Sequence, residues 1–364
     1  MRAYLHPVAT AQSPQAVDGG AIRLGGSLVW ANMLQIDCRD GGSQAHRALV
    51  PADGIDDALA ATPQAARQQL QQQYDSLRKV HAPLVMGERT LRFDQPQVMG
   101  IINATPDSFS DGGKHDAPEA AVNAGFAMTA AGAAIVDIGG ESTRPDAKTV
   151  WEGDEIARVQ PIVQQLAASG ALVSIDSRKA AVMEAALNSG AAIVNDVSAL
   201  LYDPGSIEVV VNTGCPVILM HAPSQGEDPH LNSDGYGDVV RDVFDWLHAR
   251  IEAVAAAGVS RDRIIIDPGL GFGKSLADNL ALLNTLPLFH ALGQPLLVGA
   301  SRKRMIGALS NEEAADQRLP GSLALAQHAM NCGAHILRVH DVPETMQTMR
   351  VWRGLRDAAL TAMS

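Results

Sequence analysis

From residue 98 onward, short apolar runs alternate with stretches in which apolar residues recur every three or four positions. The runs occupy residues 98–102, 134–138, 172–175, 192–195, 216–220, 263–266, 295–299 and 336–339. Runs of this length bounded by polar or turn residues predict buried strands. Between them, Ile156, Val159, Val163 and Leu166 mark one helical face, and Val240, Val243, Leu247, Ile251 and Val254 mark another. Alternating strand and helix predicts a parallel sheet with crossover helices. Eight such units over about 265 residues fit an α/β chain folded as a (β/α)8 TIM barrel. A doubly wound open sheet is the alternative.

The ends of the runs favour the barrel. They carry Asn103, Asp137, Asp176, Asn195–Asp196, His221, Asp267, Ser301 and Arg338–His340. A closed barrel brings all eight C-terminal ends to one rim, where so many polar groups can share a pocket. The segment 98–113, VMGIINATPDSFSDGG, is the most pointed case: a buried strand hands Asn103 to a loop rich in hydroxyls and carboxylates.

The first ninety residues read differently. AIRLGGSLVWANMLQID alternates as one or two strands, and residues 54–79 carry an imperfect helical stripe of Ile55, Leu59, Leu70, Tyr74 and Leu77. They predict an N-terminal accessory segment of mixed α+β character over residues 1–91. Thr90–Asp94 are expected to lead into the barrel as a short strand covering its base.

Composition narrows the function. A net charge of -12 over 364 residues argues against nucleic-acid partners and anionic membrane surfaces. A local cluster of Arg and Lys can still hold a small anion. Cys38, Cys215 and Cys332 form no CxxC pair, which predicts reduced thiols in a cytoplasmic protein. No apolar run approaches the ~20 residues of a membrane span.

The loops carry candidate chemistry. IIIDPGLGFGKS (264–275) resembles a phosphate loop, but Pro268 stands where a Walker loop needs Gly. What remains is a glycine-rich turn that lifts Phe272 and Lys274, or a tight turn and nothing more. DIGGESTRPDA (137–147) sets Ser142, Thr143 and Arg144 after two glycines, a grouping suited to phosphate oxygens or to an exposed polar loop. LLVGASRKRMIG (296–307) is expected to open a helix with Ser301 as N-cap, followed by Arg302, Lys303 and Arg304. Arg338 and His340, two apart on a strand, share one side. Asp176, Asn195 and Asp267 suit a flat nitrogen heterocycle, and Arg144, Arg338, His340 and Lys303 suit phosphates. Ser-His-Asp, nucleophile-elbow and HExxH patterns are absent, which favours positioning and charge stabilisation over covalent chemistry.

VMGIINATPDSFSDGG, DIGGESTRPDA, VSIDS, IVNDVSAL, VILMH, IIIDPGLGFGK, LLVGASRKRMIG and ILRVHDV, in this order over roughly residues 92–362, resemble the dihydropteroate synthases. The resemblance implies a pterin-binding (β/α)8 catalytic domain over 92–364. It also implies the condensation of 6-hydroxymethyl-7,8-dihydropterin diphosphate with 4-aminobenzoate to give dihydropteroate and diphosphate, on the route to folate. It implies that Asn103 binds the Mg2+ accompanying the diphosphate, and that Thr143, Arg144, Arg338 and His340 bind the diphosphate itself. Asp176, Asn195, Asp267 and Lys303 would hydrogen-bond the pterin, with Met220 and the stem of Arg338 on its faces. Phe272, Ser301, Lys303 and Arg304 would border the aminobenzoate. Thr105, Pro106, Asp107, Ser108 and Phe109 form one mobile loop, and Ser142, Thr143, Arg144 and Pro145 another. A homodimer is a family expectation, and the family is a sulfonamide target.

Three positions depart from the family pattern: Asp146 replaces a glycine, Ala222-Pro223 follow His221, and Arg304 replaces a serine. Two other readings compete. A corrinoid-dependent methyltransferase module would share the barrel and pterin contacts but has no need of Lys303, Arg338 and His340 around a diphosphate. A non-catalytic pterin-binding paralogue is at odds with intact diphosphate residues.

Overall fold

The computed structural model describes residues 1–11, 20–105, 117–144, 147–232, 235–311 and 314–361. The chain opens with β1 (Arg2–Thr10), β2 (Ile22–Arg23), β3 (Trp30–Asp40) and β4 (Ser43–Pro51). Strand β3 pairs antiparallel with the other three. Asp40 faces Ser43 across Gly41 and Gly42, both at positive φ, as a two-residue hairpin turn with the right twist requires. Helices α1 (Ile55–Ala61) and α2 (Gln64–Leu77) follow. The buried Gln73 of α2 donates to the Ala3 carbonyl and accepts from the Leu5 N–H, both at 2.7 Å, which locks α2 onto β1.

A hairpin, β5 (Leu84–Met86) and β6 (Arg89–Leu91), leads to the barrel. There the order is β7 (Gln97–Asn103), α3 (Ala117–Ala131), β8 (Ile135–Gly139), α4 (Glu152–Ala168), β9 (Val173–Asp176), α5 (Ala180–Asn188), β10 (Ile193–Asp196), α6 (Ser206–Thr213), β11 (Val217–Met220) and α7 (Val239–Ala256). It continues through β12 (Ile264–Asp267), α8 (Leu276–Asn284), β13 (Leu297–Val298), α9 (Arg304–Ser310), α10 (Leu319–Asn331), β14 (Ile336–Val339) and α11 (Val342–Thr361). The strands run β12-β11-β10-β9-β8-β7-β14-β13, and a parallel bridge between Ile266 and Leu296 closes the ring. This is the (β/α)8 barrel expected from the eight repeats, with the mixed N-terminal segment beside it.

The base of the barrel is filled by one inward side chain from each strand or its approach: Met99, Ile135, Leu172, Ile193, Ile218, Ile265, Leu297 and Ile336. Leu84, Leu91 and Phe93 of the β5–β6 hairpin and its exit seal this layer from below. With the base packed shut, the open end is the rim formed by the strand C-termini.

The N-terminal sheet does not stand apart. Leu5, Leu24, Leu34 and Leu77 belong to the same continuous core as the barrel's outer face. Tyr4 meets Phe244 of α7 edge to face at 5.7 Å. Arg241 of α7 reaches Asp37 of β3 at 3.0 Å.

One sequence reading of this segment needs correction. Residues 54–79 are not one helix: Thr62 is extended (ψ 160) before Pro63, and α2 starts afresh. Proline disfavours a helical residue before it and supplies no N–H, which separates the two segments. The five apolar residues of the stripe are nonetheless all buried. The alternating segment forms two strands, β2 and most of β3, as its pattern allows.

Candidate active site

The polar strand ends meet on the rim as a charged floor. Arg338, from β14, donates through Nε to Asp137 of β8 (2.7 Å) and through Nη2 to Asp176 of β9 (2.6 Å). Asn195, from β10, donates to the same Asp137 oxygen at 3.0 Å. The other Asp137 oxygen is buried without a protein partner. Burial pushes the Asp176 carboxyl up, the Arg338 charge opposes this, and the nearby Asp137 charge adds to it. Asp196 beside Asn195 serves the backbone instead. It accepts from Ser198 N–H and Oγ–H, both at 2.7 Å, and from Leu200 N–H at 2.8 Å. That turn holds Ala199 and Leu200 at positive φ.

Two glycines keep the floor open. A Cβ on Gly139 would lie 3.7 Å from Asp176 Oδ2, and one on Gly299 would lie 3.8 Å from both Asp267 Oδ2 and Arg338 Cβ. Bare backbone at these strand ends leaves room against the carboxylates. Apolar contact comes from Met220 at the end of β11, which packs with Val197, Ala222 and Phe272.

The glycine-rich segment after β12 forms the next wall. Asp267 accepts from Gly269 N–H at 2.7 Å, and burial raises its carboxyl pKa. Gly269, Gly271 and Gly273 all have positive φ. Lys274 bridges the turn from within, donating to Gly269 O (2.8 Å) and Phe272 O (3.2 Å), with its Nζ 3.0 Å from His221 Nδ1. Burial, reinforced by nearby Lys303, lowers the Lys274 pKa to about 7. Lys303 bonds the Leu270 carbonyl, and its Nζ lies 4.7 Å from the Phe272 ring centroid. Its pKa falls to about 8 through burial, with Asp267 acting against the shift.

Ser301 is not the N-cap of a helix. Arg302 follows it in the left-handed region (φ 58), paired with Asp341, and α9 begins only at Arg304 with Lys303 in the cap position. Ser301 Oγ instead accepts from His340 N–H at 3.2 Å and lies 3.1 Å from His340 Nδ1. Burial, reinforced by the charges of Arg338, Arg302 and Arg144, lowers His340 to about 4. Arg304 opens α9 with its side chain exposed.

The loop after β8 is anchored below its tip. Glu141 accepts from Val150 N–H (2.8 Å) and pairs with Arg178 (2.9 Å) and with Lys179. Lys179 also holds Glu155 (2.6 Å) and Val150 O (2.7 Å). Ser142 and Thr143 are half-buried and Arg144 is exposed. Asn103 is half-buried at the end of β7, in register with Gly139, and Thr105 is half-buried just beyond. Pro106, Asp107, Ser108, Phe109 and Pro145, read as loop residues, lie outside the described residues, as does Asp146.

Sequence reading missed part of this arrangement. Asp137 had the same strand-end signature as Asp176 yet received no role. Glu141, Arg178 and Lys179 carry a usable signal too, as charged residues close after strand ends. His230 stacks on Phe272 with ring centroids 4.7 Å apart and planes 14° apart, and nothing local in the sequence announces it.

Among the described residues, no three or more histidine, cysteine or carboxylate side chains are placed to hold a metal ion. No helix among them is long and apolar enough to cross a membrane.

Buried carboxylates, an amide and cations share the open rim of a closed barrel, and residues 99–340 match the family described as pterin binding enzyme. The chain is 45% identical to the dihydropteroate synthase of Escherichia coli K12 over 264 residues, 72% of this chain and 92% of that protein. It is 42% identical to the Haemophilus influenzae dihydropteroate synthase over 276 residues, 76% of this chain and 99% of that protein. Among solved structures, Xanthomonas albilineans dihydropteroate synthase with 4-aminobenzoic acid superposes with a TM-score of 0.72 at 45% identity, covering 76% of this chain and 98% of that one. The same enzyme in complex with 7,8-dihydropteroate gives 0.69 at 43% identity, with 75% and 98% covered. The chain belongs to the dihydropteroate synthase family.

Proposed function

We infer that the chain condenses 6-hydroxymethyl-7,8-dihydropterin diphosphate with 4-aminobenzoate, releasing diphosphate. The observation that carries this reading is the floor of Asp137, Asp176, Asn195, Asp267, Lys303 and Arg338 around the openings at Gly139 and Gly299. Buried carboxylates are costly unless they meet donors. A pterin edge offers ring N–H and amino donors to Asp176 and Asp267, while Asn195 and Lys303 satisfy its acceptors. Met220 and the aliphatic stem of Arg338 pack on the ring faces.

The reaction breaks the bond between the exocyclic methylene and the diphosphate oxygen. The electron pair leaves with diphosphate, and positive charge on the methylene spreads into the dihydropterin ring. The neutral aniline nitrogen then forms the C–N bond and sheds a proton. An aniline needs no strong base, so the chain's task is to stabilise the leaving group and align the partners. Arg144, Arg338, His340 and Thr143 supply donors to the diphosphate. Two of Arg338's N–H groups are held by Asp137 and Asp176, which fixes the guanidinium with donors left over. His340, kept neutral through its buried place beside Arg338, gains a proton readily once an anion arrives. Phe272, Ser301, Lys303 and Arg304 border the aminobenzoate.

Asn103 fits a Mg2+ ion brought by the diphosphate. Mg2+ keeps waters and phosphate oxygens and takes few protein ligands, and an amide oxygen at the rim is a suitable hard donor. When bound, Mg2+ neutralises charge on the leaving diphosphate.

The working form is a homodimer in the cytoplasm. The unpaired, buried Cys38, Cys215 and Cys332 support a reducing compartment. Purified protein supplied with both substrates and Mg2+ is expected to form 7,8-dihydropteroate and diphosphate in equal amounts. Folded protein that releases no diphosphate from the two together overturns the assignment. Light scattering gives the subunit number.

A further inference from the structure

Substitution at the methylene needs the leaving group and the incoming amine held in one frame. The loop after β11 lies between the two walls that would do this. On one side Arg178 donates to the carbonyls of Gly226 and Glu227, both at 2.8 Å, while pairing with Glu141 of the loop after β8. On the other side Asn232 donates to Gly273 O at 3.0 Å in the glycine-rich wall. Gly273 has no room for a side chain there: a Cβ would lie 2.3 Å from Pro223 Cγ and 2.8 Å from His230 O. The loop is therefore pressed against both walls, and His230 is the side chain that touches both. Its ring stacks on Phe272 at 4.7 Å, and its Nε2 lies 2.8 Å from Thr143 O. A carbonyl only accepts, so Nε2 carries the hydrogen. His230 N–H is itself fixed by Asp228 Oδ1 at 2.8 Å.

We propose that His230 is a positioning residue that couples the diphosphate-facing loop at Thr143 to the amine-facing ring of Phe272. This rests on the substrate assignment given above for those two walls. The two contacts use different parts of the imidazole, so they can be separated. His230→Phe keeps an aromatic face and loses the donor. His230→Gln keeps an N–H at similar reach and loses the stack. His230→Ala loses both.

The test combines steady-state kinetics with limited trypsin digestion at the exposed Lys148, which lies with Thr143 in the loop after β8. H230F is expected to lower kcat by roughly five-fold or more, the scale of one lost hydrogen bond, and to speed cleavage at Lys148. Its KM for 4-aminobenzoate stays within about two-fold, because the ring stack carries that contact. H230Q should do the reverse, raising KM for 4-aminobenzoate with kcat and cleavage near wild type. H230A should combine both effects, and all three should melt within a few degrees of the parent. Wild-type values throughout, or all constants shifting together with the melting temperature, overturn the proposal. The digestion reads the Thr143 contact without turnover. An inactive parent with the expected digestion pattern would therefore remove the substrate assignment alone.

Discussion

Arg338 is the residue on which the floor depends. It is the cation between Asp137 and Asp176, and all three are largely buried. Removing it leaves two carboxylates facing each other with little water. Taking one partner from a buried pair typically costs about 3–5 kcal/mol, because the remaining charge is uncompensated. Arg338→Met is thus expected to lower stability on that scale and to abolish turnover. Adding Asp137→Asn should restore part of the stability and none of the activity. Urea unfolding of the single and double variants checks this, and equal midpoints for the two would contradict it. Asp176, Asn195 and Asp267 were legible in sequence because each lies at the end of an apolar run, where a strand hands a polar group to the rim, and Arg338 because it interrupts one next to its end. Asp137 carried the same signal but has no direct ligand role to suggest it; its work is to hold Arg338 and Asn195. His230 was illegible, since its partners Phe272 and Thr143 lie on other loops and meet it only after the barrel closes.

At the scale of elements, the glycine-rich turn after β12 shows how closely loop and strand are fitted. Gly269 has φ 69, and a Cβ there would lie 1.9 Å from the His221 carbonyl oxygen. Backbone cannot yield as a flexible side-chain tip can. Gly269→Ala should therefore displace the turn that Lys274 staples, costing about 1–3 kcal/mol and most of the turnover. Thermal unfolding and an activity assay would show it; full activity would mean that the turn does not shape the site. Strand boundaries tell a related story. Sequence reading ends β9, β10 and β12 one residue early, each just before an aspartate. Yet Asp176, Asp196 and Asp267 still pair in the sheet, because ladder hydrogen bonds involve the backbone and ignore side-chain polarity. The misplaced N-cap at Ser301 has a similar origin. A serine before a basic apolar stretch looks like a cap, but the Arg302–Asp341 pair and the left-handed backbone at Arg302 delay the helix.

On the scale of the whole molecule, the N-terminal sheet is joined to the barrel through buried histidines. His335 accepts from Leu296 N–H through Nδ1 (3.0 Å), so its Nε2 donates to Gly25 O at 2.9 Å. His290 lies against His335 with ring centroids 5.4 Å apart, and His81 meets His335 at 5.0 Å. Gly25 fits here because a Cβ would lie 2.8 Å from His290 Nδ1. Burial lowers His81 to about 3 and His290 to about 4, and puts His335 well below its ordinary range. The unfolded chain binds these protons near pH 6.5, whereas the folded chain resists them until much lower pH. Their stabilisation is thus present above pH 6.5 and is lost as pH falls toward 4, at up to ~1.4 kcal/mol per unit for each group. Asp176, Asp196 and Asp267 act in the opposite sense, since burial raises their pKa values and the folded state takes up protons first. The net slope mixes both effects, so the comparison that isolates the junction is between parent and His81→Phe. That variant keeps an aromatic edge beside Phe93 and His335 and removes one titration. Urea midpoints at pH 7, 6 and 5 should fall less steeply in H81F than in the parent. Parallel slopes would show that His81 takes up its proton in the folded state as easily as in the unfolded chain, and that the junction does not resist acid through this residue.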